Sequence, residues 1–407
     1  MNGKRTAIIL GAGASFCYED GATNYPTQYN ILGRLIAQIK SSTGGAPTLC
    51  DASGMKHSHG LSQFLRQKYN IPEDVAKGDM PTDYFPELQK SGFNLESLYS
   101  EIEEEVIQAE SHGYSLSWLL DDFEAIIRTS VTEPNTPRDQ KRVCRYHKML
   151  CEALEPGDYI INFNWDSIMA DALLYNSNFW FPSTGFGLSS LFPLIAPSQK
   201  ALNIPSMVQL YHIHGSICLY EWQHKEGRFG QPATLYKGPN SHSQMNDLHE
   251  LMQISNSENG VGKINREATD DEIRKNTLGY IYHQNEWFKP IFVSPSKYKS
   301  EYANWYSLVM RRNIHSSLPT TKQFIVAGYS FPDADINHLS DIFVRTIIPS
   351  KAQVTVIDPS NQKEDFQERV KKIFPEMDEI NYSYQDYRKF CHDLPTTASL
   401  NMGKFPI

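Results

Sequence analysis

The sequence predicts an α/β fold: a Rossmann-like parallel sheet with helices on both faces, plus helical and loop insertions. Three observations carry this. Short apolar runs rich in β-branched residues recur along the chain, helical patterns alternate with them, and small-residue turns close several of the runs. The runs are 6–10, 158–163, 207–213, 290–293, 323–327 and 353–357. Most are continuous rather than alternating, as expected of strands covered on both faces of a parallel sheet. Between them, residues 29–40 place Ile31, Leu32, Leu35, Ile36 and Ile39 on one side of a helix. Residues 95–109, 115–129, 140–154, 166–175, 334–346 and 363–373 repeat that spacing. Strands alternating with helices read as one α/β domain over 1–407. Two polar stretches, 41–92 and 221–277, interrupt the rhythm and read as insertions decorating that domain.

Composition bounds what the chain does. Its 407 residues can bury a substantial core, and 40% hydrophobic with 12% aromatic content is globular. Thirty-eight Lys and Arg against 47 Asp and Glu leave a net charge of −9, the wrong sign for broad nucleic-acid binding. No apolar run is long enough to span a membrane. The apolar stretch after Lys4 and Arg5 stops at Gly11, too short for a secretory signal. Six scattered cysteines with no C-x-x-C pair argue against a disulfide scaffold or a four-thiolate zinc site, and for a reducing cytoplasm.

Five motifs close predicted strands. Gly11-Ala12-Gly13-Ala14-Ser15 follows the first, where glycine lets a backbone approach a phosphate and a following helix would aim N–H groups at the anion. The dinucleotide fingerprint fails there, since Phe16 stands where a third small residue is needed and no acid lies ~20 residues on. An ordinary strand-to-helix turn explains the motif equally well. Asn162-Phe163-Asn164-Trp165-Asp166 closes the second run, and Asp166 or Ser167 is also a good N-cap. Tyr211-His212-Ile213-His214-Gly215-Ser216 closes the third. Alternation puts His212 and His214 on one face, so a metal reading is open, with His57 and His59 able to complete it. The preferred reading is His214 as general base, His212 as structural, and His57 and His59 as a solvated pair. Gly328-Tyr329-Ser330-Phe331-Pro332-Asp333 and Val356-Ile357-Asp358-Pro359 end the last two runs. Asp358 is either a ribose or adenine acceptor or the start of a turn before Pro359.

Taken in order, these motifs resemble the sirtuin-like superfamily, and most closely its bacterial branch of NAD-consuming antiphage defence proteins. The likeness runs from Ile8 to about Pro359. It implies that Gly11, Ala12, Gly13 and Ser15 line the NAD pyrophosphate and that Asn164 holds the nicotinamide ribose or positions water. Asp166 would meet the carboxamide and His214 act as base. Gly328 and Ser330 would flank the phosphates, and Asp358 would contact the adenosine. Residues 18–30 stand where that family has a mobile loop over the cofactor, but lack the Asp-Phe-Arg of protein deacylases. Between Ser216 and Lys289 there is one cysteine, Cys218, where deacylases carry a two-pair zinc ribbon. No metal site and no zinc are expected, and plain NAD cleavage is favoured over acyl-lysine removal.

The implied protein is a triggered NAD hydrolase, a homo-oligomer held inactive until a signal or a partner ATPase releases it. Two alternatives stand beside it: an NAD or ADP-ribose sensor gating that ATPase, and a sirtuin-like ADP-ribosyltransferase or deacylase. A nuclease is disfavoured by charge. The insertions are candidate assembly or gating surfaces.

Overall fold

The computed structural model describes residues 5–20, 23–24, 95–113, 117–131, 143–188, 191–194, 208–226, 232–237, 280–283, 286–293, 305–331, 352–360, 362–375 and 380–394. The expected helices 29–40 and 334–346, the stretch 41–92 with His57 and His59, and residues 238–277 lie outside them.

Six strands form one sheet: β1 (Arg5–Leu10), β4 (Tyr159–Asn162), β6 (Gln209–His212), β11 (Thr321–Ala327), β12 (Gln353–Ile357) and β13 (Ile380–Ser383). Their order is β13-β12-β11-β1-β4-β6, and every pairing is parallel. The chain therefore starts mid-sheet, steps outward through β4 to β6, returns beside β1 as β11, and steps the other way to β13. This is the doubly wound Rossmann order, with its switch point between β1 and β11. Right-handed crossovers in opposite directions put their helices on opposite faces. The buried runs Ala7–Leu10, Tyr159–Ile161 and Phe324–Ala327 have the unbroken apolar character that two covered faces require. The edge strand β13 is only half-buried along its length, and its Ile-Asn-Tyr-Ser sequence carries no apolar run to announce it.

Helices are present where the spacing expects them near 95–109, 115–129, 140–154, 166–175 and 363–373, and further ones lie at Pro182–Gly185, Trp305–Ser317 and Tyr387–Asp393. α1 (Ala12–Ser15) is a single turn, shorter than the helix expected after the first strand. α2 (Leu95–Ser111) and α3 (Ser117–Val131) match expectation within two residues. α4 (Arg145–Ala153) buries Tyr146, His147, Leu150 and Cys151, and packs on α5 (Ile168–Asn176). α6 (Pro182–Gly185) is again one turn, and α7 (Trp305–Ser317) leads through a short 3-10 segment into β11. α8 (Glu364–Ile373) buries Phe366, Val370 and Ile373 and has acids in its first turn and lysines in its last, as its dipole favours. α9 (Tyr387–Asp393) is capped by Asp386, whose carboxylate accepts from Lys389 N at 2.9 Å.

A second sheet was not foreseen. Its order is β5 (Leu191–Leu194), β8 (Pro232–Lys237), β7 (Gly215–Glu226), β10 (Glu286–Phe292), β9 (Ile281–His283), mostly antiparallel. Residues 290–293, expected among the parallel strands, belong here: Pro290–Phe292 lie in β10 and pair antiparallel with β7. The stretch from 221, read as a polar insertion, supplies the end of β7 and all of β8, with Leu235 and Tyr236 buried. Thr234, Leu235 and Tyr236 are buried in succession, a run too short and too polar to stand out within a polar stretch. The inner side of this sheet joins the main core through Cys218, Leu219, Tyr236 and Ile291. Tyr220, Leu235 and Phe288 form a separate small cluster with Trp222. Beta strands β2 (Glu19–Asp20) and β3 (Thr23–Asn24) make a short hairpin after α1.

Candidate functional site

The crevice at the switch point is where ligands bind in open α/β sheets. Here Gly11 follows β1 and Gly328 follows β11, and the two turns that they open are bonded backbone to backbone. Gly11 N donates to Ala327 O at 3.2 Å, Gly13 N to Gly328 O at 2.8 Å, and Gly328 N to Ile357 O at 3.1 Å. A Cβ on Gly11 would stand 2.6 Å from Gly328 O, and one on Gly13 2.9 Å from Gly328 Cα. Gly328 has φ +60°, and a Cβ there would lie 2.4 Å from Ala14 N. Close contact between the two turns thus accounts for these three glycines on its own terms. Ala12, Gly13, Gly328 and Ser330 remain half-buried, while Ser15 is buried. Beyond Ser330, Phe331 is fully buried at φ +52°, a left-handed conformation that a bulky L-residue rarely adopts.

Asn164 joins the second strand end to the first. Its side-chain amide donates to Gly11 O at 2.9 Å and to Ser15 Oγ at 2.7 Å. The segment carrying it is held from several sides. Phe163 N donates to Leu10 O at 2.9 Å, and Asn164 N to Asn162 Oδ1 at 3.1 Å. Ile217 N donates to Trp165 O at 2.8 Å, and Ser216 Oγ lies within 3.1 Å of both the Trp165 and Asp166 carbonyls. A loop fixed this thoroughly presents its groups with little reorganisation.

The two histidines sit in different surroundings. His212 is fully buried, and its Nδ1 lies 3.2 Å from Asn164 O, the geometry of an Nδ1–H donor. Burial pulls its pKa down to about 4, against the opposing Asn164 carbonyl bond, so the ring is neutral. Tyr306 OH donates to the His212 carbonyl at 2.7 Å. His214 lies in the turn between β6 and β7, 5% exposed, its ring edge-on to Phe163 at 5.3 Å and tilted against Trp165 at 6.2 Å. Phe163 in turn stacks on Tyr329 at 4.4 Å, which links His214 to the turn after β11. Gly215, at φ +75°, admits the β10 backbone: a Cβ would stand 2.2 Å from Ile291 O. The His-Gly pair is thus the point where the chain leaves one sheet for the other.

Two acids serve their own turns. Asp166 Oδ1 accepts from Ile168 N at 3.0 Å at the start of α5, and Asp358 Oδ1 accepts from Ser360 N at 2.6 Å. Asp358 follows Ile357, whose carbonyl holds Gly328, so it borders the same crevice. The structure therefore joins Gly11, Gly13, Ser15, Asn164 and Gly328 by direct contact, sets His214 behind Phe163, and places Asp358 beside Gly328's partner.

One group of chemically active side chains went unread in the sequence. Cys17, Cys144 and His147 are all buried, with their ligand atoms within 4.8 Å of one another. The C-x-x-H spacing at 144–147 was the available signal, but Cys17 stands 127 residues away. No protein-family model matches the chain, and no curated protein matches it.

Proposed function

We propose that this protein is an NAD glycohydrolase that cleaves the nicotinamide–ribose bond to give nicotinamide and ADP-ribose. One observation carries the reading. At the C-terminal ends of β1, β4 and β11, around the switch point, Asn164 is bonded to Gly11 and Ser15 and Gly13 to Gly328, and His214 follows β6 on the next strand over. The order and spacing of the motifs, which resemble the sirtuin-like superfamily, support the same conclusion.

In this reading Gly13 and Ser330 lie along the pyrophosphate, and Asp358 faces the adenosine end. The C–N bond to nicotinamide breaks with its electron pair passing to the ring nitrogen, which loses its positive charge, so no strong acid is required. Water attacks the oxocarbenium-like ribose carbon and gives its proton to His214, a role worth about 10²–10⁴-fold. Asn164 holds the 11–15 turn in place while the charge develops. Chromatography of products after incubation with NAD tests the proposal. Nicotinamide and free ADP-ribose from wild type, absent from His214→Ala, support hydrolysis. Equal rates from both sink it.

A second reading is favoured by one feature. Both amide hydrogens of Asn164 are engaged by Gly11 O and Ser15 Oγ, which leaves only its oxygen for substrate. That suits a subunit that binds NAD or ADP-ribose without turnover and gates a partner ATPase. Bound NAD with no product would favour it. We further place the protein in the cytoplasm as a triggered, oligomeric effector of antiphage defence. No helix among the described residues is long and apolar enough to cross a membrane.

A further inference from the structure

Behind the 11–15 turn lies a cluster that the NAD reading does not use. Cys17 follows Ser15 by two residues. Cys144 is the N-cap of α4, and His147 sits in that helix's first turn. Cys17 Sγ and Cys144 Sγ are 3.8 Å apart, and His147 Nδ1 is 3.1 Å from Cys144 Sγ. The Tyr387 ring, 5.1 Å from that of His147, fixes the imidazole from α9.

We propose that Cys17, Cys144 and His147 bind a thiophilic divalent cation, zinc, that fastens the 11–15 turn to the start of α4.

Three features distinguish this cluster from buried thiols acting as small hydrophobes. The first is convergence: two sulfurs and one imidazole nitrogen approach a common point from two separate segments. The second is the sulfur–sulfur distance. Metal–sulfur bonds of ~2.3 Å in tetrahedral geometry put two thiolates ~3.8 Å apart, the spacing of Cys17 Sγ and Cys144 Sγ. The third is charge. Two thiolates and a neutral imidazole exactly offset a divalent cation, so the filled site is neutral and suits a buried position. Soft sulfur ligands select zinc over calcium or magnesium. On binding, two metal–sulfur bonds and one metal–nitrogen bond form, and the two thiol protons leave to solvent. Three protein ligands leave a fourth tetrahedral position. This site is unrelated to a zinc ribbon between the two later motifs, and it stands whether or not the crevice cleaves NAD.

The test uses the full chain, purified without added metal or chelator. Elemental analysis should find about one zinc per chain. Cobalt exchanged into the protein should give the thiolate-to-cobalt charge-transfer band and the intense visible bands of tetrahedral coordination. Cys144→Ser should lose both, while Cys218→Ser, whose thiol lies apart beside Ser216, should keep both. Wild-type protein that is metal-free and takes up no cobalt would overturn the proposal, whether its thiols are free or Cys17 and Cys144 are joined as a disulfide. So would a folded Cys144→Ser that keeps its zinc. Should Cys144→Ser not fold, the wild-type cobalt spectrum decides alone.

Discussion

Asn164 Nδ2 lies 2.7 Å from Ser15 Oγ, so a single amide fastens the end of β4 to the turn that follows β1. The same nitrogen reaches Gly11 O at 2.9 Å, and both bonds are buried. An amide is the smallest group that can donate twice in this way, which makes the residue type testable.

Asn164→Ala should lower stability by about 1–3 kcal/mol, because it removes the donor to Ser15 Oγ and one of the two donors to Gly11 O, which keeps Ala14 N. Asn164→Asp keeps the shape but, when ionised, cannot donate, so it should cost at least as much. Urea unfolding monitored by circular dichroism measures both. A neutral Asn164→Asp would show that shape alone matters at this position. Both variants should also lose NAD cleavage.

His214→Ala should reduce NAD cleavage by at least about 100-fold if the imidazole takes the proton from water. His214→Gln, which preserves most of the ring's contact with Phe163, should fall equally far. Product formation at saturating NAD measures the rate. Recovery of activity in the glutamine variant would assign His214 a packing role.

His212 makes stability depend on pH with a definite sign. Its folded pKa is near 4, below the unfolded value of ~6.5, so between these values the unfolded chain binds a proton that the folded protein does not. The contribution is therefore complete above about pH 6.5 and is lost as pH falls, by up to about 3 kcal/mol. His212→Asn, able to donate to the Asn164 carbonyl without titrating, should flatten the difference in unfolding free energy between about pH 7 and about pH 5. An unchanged slope would mean that other groups carry it.

Gly328 and Gly113 both have positive φ, yet they should respond differently to alanine. At Gly113 a Cβ meets nothing within 4 Å, so the cost is the backbone conformation alone, about 1–2 kcal/mol. At Gly328 the Cβ collides with the backbone of Ala14 and Gly13, and the loss should exceed about 4 kcal/mol or prevent folding. Thermal denaturation of the pair compares them directly. Similar melting temperatures would show that the two turns can separate at little cost.

Much of the frame was legible because the signals involved are local. Strands β1, β4, β6, β11 and β12 coincide with apolar runs, since a strand covered on both faces must be apolar throughout. Helices α3, α5 and α8 fall within two residues of their predicted limits for the same kind of reason: period and turn chemistry belong to neighbouring residues. β13 escaped notice because an edge strand needs no such run, and β8 because its buried Thr234-Leu235-Tyr236 is too short and too polar a run to stand out.

By itself, then, the sequence determined the α/β class, most of the central strands, and the turns that close them, all of which follow from residues close together in the chain. Only the tertiary structure decided which strand pairs with which. It assigned Pro290–Phe292 to a second, antiparallel sheet, although its apolar content suits either. It alone committed the Asn164 amide to Gly11 and Ser15, and it alone brought Cys17 to Cys144 and His147. Those meetings depend on how β1 and β4 lie side by side. Hydrogen-bond registry across the sheet sets that arrangement, and no local periodicity records it.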